Sequence, residues 1–103
     1  MITVNIYDGK WIFPQQIKFE DVSDYLSYFE NENNKNHIIF DLTHTTTIHS
    51  AYIGFLLLAK QFVEKNNGTF ELKLSYTAAK IFQMLNILDY LAPHSVDDRK
   101  KTA

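Results

Sequence analysis

"TTTIHSAYIGFLLLAK", residues 45 to 60, decides how the rest of the chain is read. Three threonines lead into Ile48, His49 and Ser50, and from Ala51 to Ala59 no side chain is charged. A bilayer span takes about 20 apolar residues, and Lys60, Glu64 and Lys65 end this run too early. It therefore reads as a buried helix, with Leu56, Leu57 and Val63 as core residues. Upstream, His37 to Leu42 is a continuous apolar stretch of the kind found in the middle of a sheet, with Asp41 near its carboxyl end. Downstream, "NNG" at 66 to 68 ends the helix, with Gly68 placed to take the left-handed conformation beyond its C-terminus. Phe70, Leu72 and Leu74 then alternate with Thr69, Glu71 and Lys73, a strand with one polar face.

Further out, Ile2, Val4 and Ile6 alternate with Thr3, Asn5 and Tyr7. Asp8-Gly9 is a turn signal before Trp11-Ile12-Phe13, which makes an opening hairpin. Val22, Tyr25, Leu26 and Phe29 fall at i, i+3, i+4 and i+7, one apolar stripe on a helix capped by Asp21 and stopped by "NENNKN" at 31 to 36. A last helix from about Thr77 puts Ala78, Ile81, Leu85 and Leu88 on one side and closes at Pro93. The predicted order is β-β-α-β-α-β-α, an α/β domain over 1–96. Its mixed sheet has about four strands, and helices lie mainly on one face because the first and last strands both alternate. Residues 97–103, "DDRKKTA", read as a disordered tail.

The chain has 103 residues, 46% hydrophobic and 15% aromatic, enough for one domain with one core. Ten basic against twelve acidic residues give a formal charge of -2, which argues against a nucleic-acid partner. With no cysteine there are no disulfides and no thiolate chemistry. Met1 runs into strand-like alternation without a leader pattern, so a cytoplasmic chain without membrane insertion is expected.

The chemistry at the helix entrance comes next. A serine between a loop and an apolar helix is the expected N-cap, and Ser50 is assigned that role. The exposed amides of a helix start also favour an anion or a phosphate. A hydrolase elbow needs Gly-x-Ser-x-Gly, and this loop has neither glycine, so no catalytic residue is assigned. His37, His44, His49 and His94 lack i, i+4 spacing and any H-E-x-x-H arrangement, so no metal and no cofactor are assigned. His49 is read as a neutral hydrogen-bonding group.

About half the chain, from Ile38 to Pro93, resembles the STAS domain of bacterial anti-sigma-factor antagonists. The matching positions are Asp41-Leu42-Thr43, Ile48, Ser50, Gly54, the helix Phe55 to Val63, Gly68, the strand Phe70 to Leu74, Leu88-Asp89 and Pro93. The family's loop reads Asp-Ser-Ser-Gly before the helix, and here His49, Ser50, Ala51 and Tyr52 stand in those places. Ile87 stands where the family commonly has glycine. The resemblance implies a non-enzymatic signalling module that binds a serine kinase or anti-sigma factor through Thr43, His44, Thr46, His49, Ser50, Ala51 and Tyr52. Tyr52 would be a solvent-facing anchor. Ala51 occupies the usual phosphoacceptor position and carries no hydroxyl, so the module is expected to lack the usual serine phosphorylation switch: either it binds its partner constitutively, or Ser50 is the substitute acceptor, or switching is not its role. The order Ser50-Ala51 also resembles an Asp-Thr-Ala-Gly variant found in STAS subunits on the ATPase of phospholipid-trafficking ABC transporters. That is the alternative partner class.

Overall fold

The computed structural model describes residues 4–32 and 35–91. Strands β1 (Asn5–Tyr7) and β2 (Lys10–Ile12) form the opening hairpin. Asp8 and Gly9 have φ of 52° and 82°, the two positive values that a tight hairpin turn of the right twist requires. A two-residue strand β3 (Gln16–Ile17) precedes α1 (Phe19–Glu30), and β4 (His37–Leu42) follows it. Then come β5 (Thr47–Ile48), α2 (Ser50–Lys65), β6 (Thr69–Leu74), α3 (Tyr76–Met84) and α4 (Leu88–Leu91).

The main sheet has the order β1-β2-β4-β6, antiparallel at β1 and parallel thereafter, while β3 and β5 form a separate parallel pair. The class is therefore the expected α/β fold with a mixed four-stranded sheet. Trp11, Ile38, Phe40, Leu42 and Leu72 point to the helix-covered face and are buried, whereas Asn5, Tyr7, His37, Glu71 and Lys73 are exposed on the other. Val4 is buried as expected. Ile6, Phe70 and Leu74 are half-buried, and Ile2 and Thr3 lie outside the described residues.

The central strand corrects one expectation. β4 is apolar throughout, yet Ile39 and Asp41 on its second face are only half-buried, because no helix covers that side. Nine rings fill much of the covered side. Trp11 lies 5.2 Å from Phe40 and about 6 Å from Phe13, Phe29 and Phe55. Phe13 in turn meets Tyr25 and Tyr52 edge-on, each at 5.2 Å, and Phe70 and Phe62 extend the cluster through Phe40 and Phe29. Such rings contribute both buried area and edge-to-face attraction.

Helix ends also differ from expectation. Asp21 does not cap α1. It sits inside the first turn, buried, and Lys18 holds the N-cap position without a side-chain bond. At the end of α2 the left-handed residue is Asn67 (φ 62°), not Gly68. The Asn67 amide donates to the Glu64 carbonyl at 3.0 Å and the Gly68 amide to Val63 at 2.8 Å, the paired bonds of a Schellman cap. Gly68 is needed for closeness instead: a Cβ there would lie 2.7 Å from the Asn36 carbonyl oxygen. The same cap ends α3, with Asn86 at φ 59° and Ile87 donating to Phe82 at 3.0 Å. The expected single last helix is thus two. α3 buries Ala78, Ala79 and Phe82, the break at Asn86 turns Leu85 out to solvent, and α4 returns Leu88 and Leu91 to the core. Pro93, His94 and the expected tail lie outside the described residues.

Candidate functional site: the rim at the carboxyl ends of the parallel strands

β2, β4 and β6 run parallel, so the segments that leave them meet at one edge of the sheet, and each leads into a helix start. Open α/β sheets commonly bind at this edge. Here backbone and hydroxyl bonds staple the three segments together. Thr46 and Thr47 amides donate to the Gln15 carbonyl at 2.8 and 3.1 Å, and the His49 amide donates to Ile17 at 3.1 Å. Thr45, fully buried, donates its hydroxyl to the Pro14 carbonyl at 2.7 Å. Ser75 closes the third side: its Oγ donates to the Thr45 carbonyl at 2.7 Å and accepts from the Ala78 amide at 3.0 Å, capping α3.

Of the predicted site residues, Thr43, His44, Thr46, His49 and Ser50 are all exposed on this rim. Two others are displaced. Tyr52 is not a solvent-facing anchor; it is fully buried among Phe13, Tyr25 and Phe55. Its spacing to Phe55, Leu56, Ala59 and Val63 is the helical spacing of the core face, and burial of the ring outweighs the hydroxyl, which finds no hydrogen-bond partner. Desolvation, with Tyr25 beside it, holds the Tyr52 phenol well above the usual tyrosine range. Ala51 is half-buried at the edge of the same face.

Ser50 does not cap α2. The cap is His49, in extended backbone conformation, whose Nδ1 accepts from the Ala51 amide at 3.0 Å. An accepting Nδ1 carries no proton, in line with its reading as a hydrogen-bonding group. The imidazole also lies 5.2 Å from the ring of Phe19, which opens α1 and is 64% exposed. Ser50, the first residue of the helix, is exposed, and its hydroxyl takes no part in the cap. Tyr76 at the start of α3 is 63% exposed. Sequence reading missed both aromatics; the signal was a ring next to each predicted loop–helix junction, outside the apolar period.

Asp41 anchors the base of the rim. Its Oδ1 accepts from the Thr43 amide at 2.9 Å and the Thr43 hydroxyl at 2.6 Å. Partial burial pushes its carboxyl up, but the two Thr43 bonds, with Lys10 and His44 nearby, outweigh it and hold it below the ordinary range. Among the described residues, no three His, Asp or Glu side chains gather as metal ligands, and no helix is long and apolar enough to cross a membrane. The hollow at the α3–α4 corner, about 280 Å³ and lined by Gln83, Asn86, Leu88 and Asp89, lies at the opposite end of α3 from the rim.

No protein-family model matches this chain, and no curated protein does either.

Proposed function

We propose that this protein is a cytoplasmic, non-enzymatic STAS-like interaction module that docks a serine kinase or anti-sigma-type partner through the rim. The observation that carries the reading is the contrast between a fixed backbone and free side chains. Stapling by Thr45, Ser75 and the β3–β5 pair holds the loop in one geometry, while Thr43, His44, Thr46, His49 and Ser50 remain exposed beside Phe19. A preorganised surface loses little conformational entropy on binding, and exposed aromatics supply apolar anchors. Phe19 takes the anchoring part first assigned to Tyr52. Ser50, with its hydroxyl free of capping, is the acceptor on the rim, since Ala51 has none.

Photo-crosslinking in cells tests this reading. A photoreactive amino acid at position 44 or 46 should trap an ATP-binding kinase of the serine or anti-sigma class. Trapping an ABC-transporter ATPase instead would carry the transporter alternative. Crosslinks that form only from position 71, on the open sheet face, would remove the rim from the account.

A further inference from the structure

Asn67-Gly68 is the one Asn-Gly pair in the sequence, and Asn67 is exposed. In such a pair the glycine nitrogen meets no side-chain obstacle when it attacks the asparagine amide. We propose that this corner is a deamidation site held closed by the Schellman cap of α2, so that its modification rate reads local opening of the α2–β6 junction.

The chemistry is fixed by the atoms present. The Gly68 amide nitrogen gives up its proton and attacks Asn67 Cγ. An N–Cγ bond forms, the Cγ–Nδ2 bond breaks, and the amide leaves as ammonia. Water then opens the five-membered imide at either carbonyl, giving aspartate or isoaspartate. The net change is the exchange of water for ammonia, with no oxidant or reductant.

The folded chain blocks the first step. The attacking nitrogen already donates its hydrogen to the Val63 carbonyl at 2.8 Å. The next amide, Thr69, donates to Asn36 at 2.7 Å, which pins the glycine from the other side. There is no free space around it, since a Cβ on Gly68 would lie 2.7 Å from Asn36 O, 2.9 Å from Val63 Cγ1 and 3.0 Å from Lys35 O. Attack therefore needs the corner to open. Isoaspartate would add a carbon to the main chain in this crowded corner and place a carboxylate at the negative end of α2, so the modified chain should refold with a lower melting temperature.

The molecule carries its own control. Asn86 has the same left-handed backbone in the same cap, but its successor is Ile87, whose branched side chain hinders ring closure. The test incubates the whole chain at mildly alkaline pH, folded and in denaturing urea, and reads each asparagine by peptide mass and isoaspartyl methyl transfer. In urea, product should accumulate at Asn67 and not at Asn86. In the folded chain Asn67 should react slower by about tenfold or more, the factor set by an opening cost of about 1.4 kcal/mol or more. Val63→Ala should bring the folded rate toward the urea rate, and Asn67→Gly should form no product there. Hydrogen exchange at the Gly68 amide of the unaltered chain reads the same opening if Val63→Ala does not fold. Equal rates in folded and unfolded chains, or an unprotected Gly68 amide, would overturn the lock. No product at Asn67 in urea, or as much at Asn86, would overturn the site.

Discussion

Between Thr43 and Leu56 the chain passes from a rim whose side chains mostly face water to a core where they face other rings. His49 and Tyr52 show the difference within one helical turn. His49 spends its nitrogen on the backbone and leaves its ring beside Phe19 at the surface. Tyr52 leaves its hydroxyl without a partner so that its ring can fill the space between Phe13 and Tyr25. In the rim the backbone is held and the side chains are available; in the core the side chains are what hold. Changes in the two regions should therefore have opposite consequences, and four substitution sets can break or sharpen that contrast.

The largest effect is expected at Tyr52. Tyr52→Ala removes a fully buried ring and should cost about 3 to 5 kcal/mol of unfolding free energy, measured by urea denaturation. Tyr52→Phe removes only the unpaired hydroxyl and should be neutral or stabilising. It should also remove the alkaline sensitivity of this site. A phenol whose folded pKa is raised stabilises fully below its unfolded value near 10 and loses that contribution as pH rises above it, when the unfolded chain ionises first. A spectrophotometric titration in which Tyr52 ionised with the exposed tyrosines would break the contrast at its centre.

Next come two adjacent leucines. Leu56 is fully buried and Leu57 only half-buried, so Leu56→Ala should cost about 2 to 5 kcal/mol and Leu57→Ala clearly less. Equal losses would mean that the outer face of α2 is packed against something.

Thr45→Val comes third, because it leaves the Pro14 carbonyl without its donor inside the staple. A loss of about 1 to 3 kcal/mol is expected, while exposed Thr46→Val should stay within about 0.5 kcal/mol of the parent. Equal effects would show that the rim is not held from beneath.

Asp41 should show the smallest effect. Its folded pKa is lowered, so its contribution is present above the unfolded carboxylate value near 3.9 and is lost as pH falls through the folded one. Asp41→Asn should lower stability slightly at neutral pH, where that contribution is present, and so flatten stability against pH across the acid window. An unchanged acid limb would remove the Thr43 bonds from the account.

The same contrast explains what the sequence made legible. The bounds of β4 follow from an unbroken apolar run, and the hairpin at Asp8-Gly9 and the one-sided alternation of β6 from turn chemistry and a period of two, all of which are local. The inward face of α2 is also readable at 52, 55, 56, 59 and 63, but the outward expectation for Tyr52 rests on its place in the first turn of a helix that starts at a loop and on the preference for tyrosine at interfaces. Helix ends were less legible. Histidine and serine adjoin at 49 and 50, asparagine and glycine at 67 and 68, and a shift of one residue decides which caps and which is free. Thr45 could not be told from Thr46 and Thr47 at all, since burial of its hydroxyl depends on Pro14, 31 residues away. Lys60 closed the uncharged run in the sequence, yet it is buried, ion-paired with Glu64 one turn on, and lies 5.1 Å from the ring of Tyr90.

The central claim is that the rim binds and the layer beneath it stabilises. Its most direct test is to measure, for Phe19→Ala, His44→Ala and Ser50→Asp, the affinity for the partner trapped from position 44 together with the unfolding free energy of each variant. The account predicts binding weakened about tenfold or more for each, with stability within about 0.5 kcal/mol of the parent. Three folded variants that bind like the parent would contradict it.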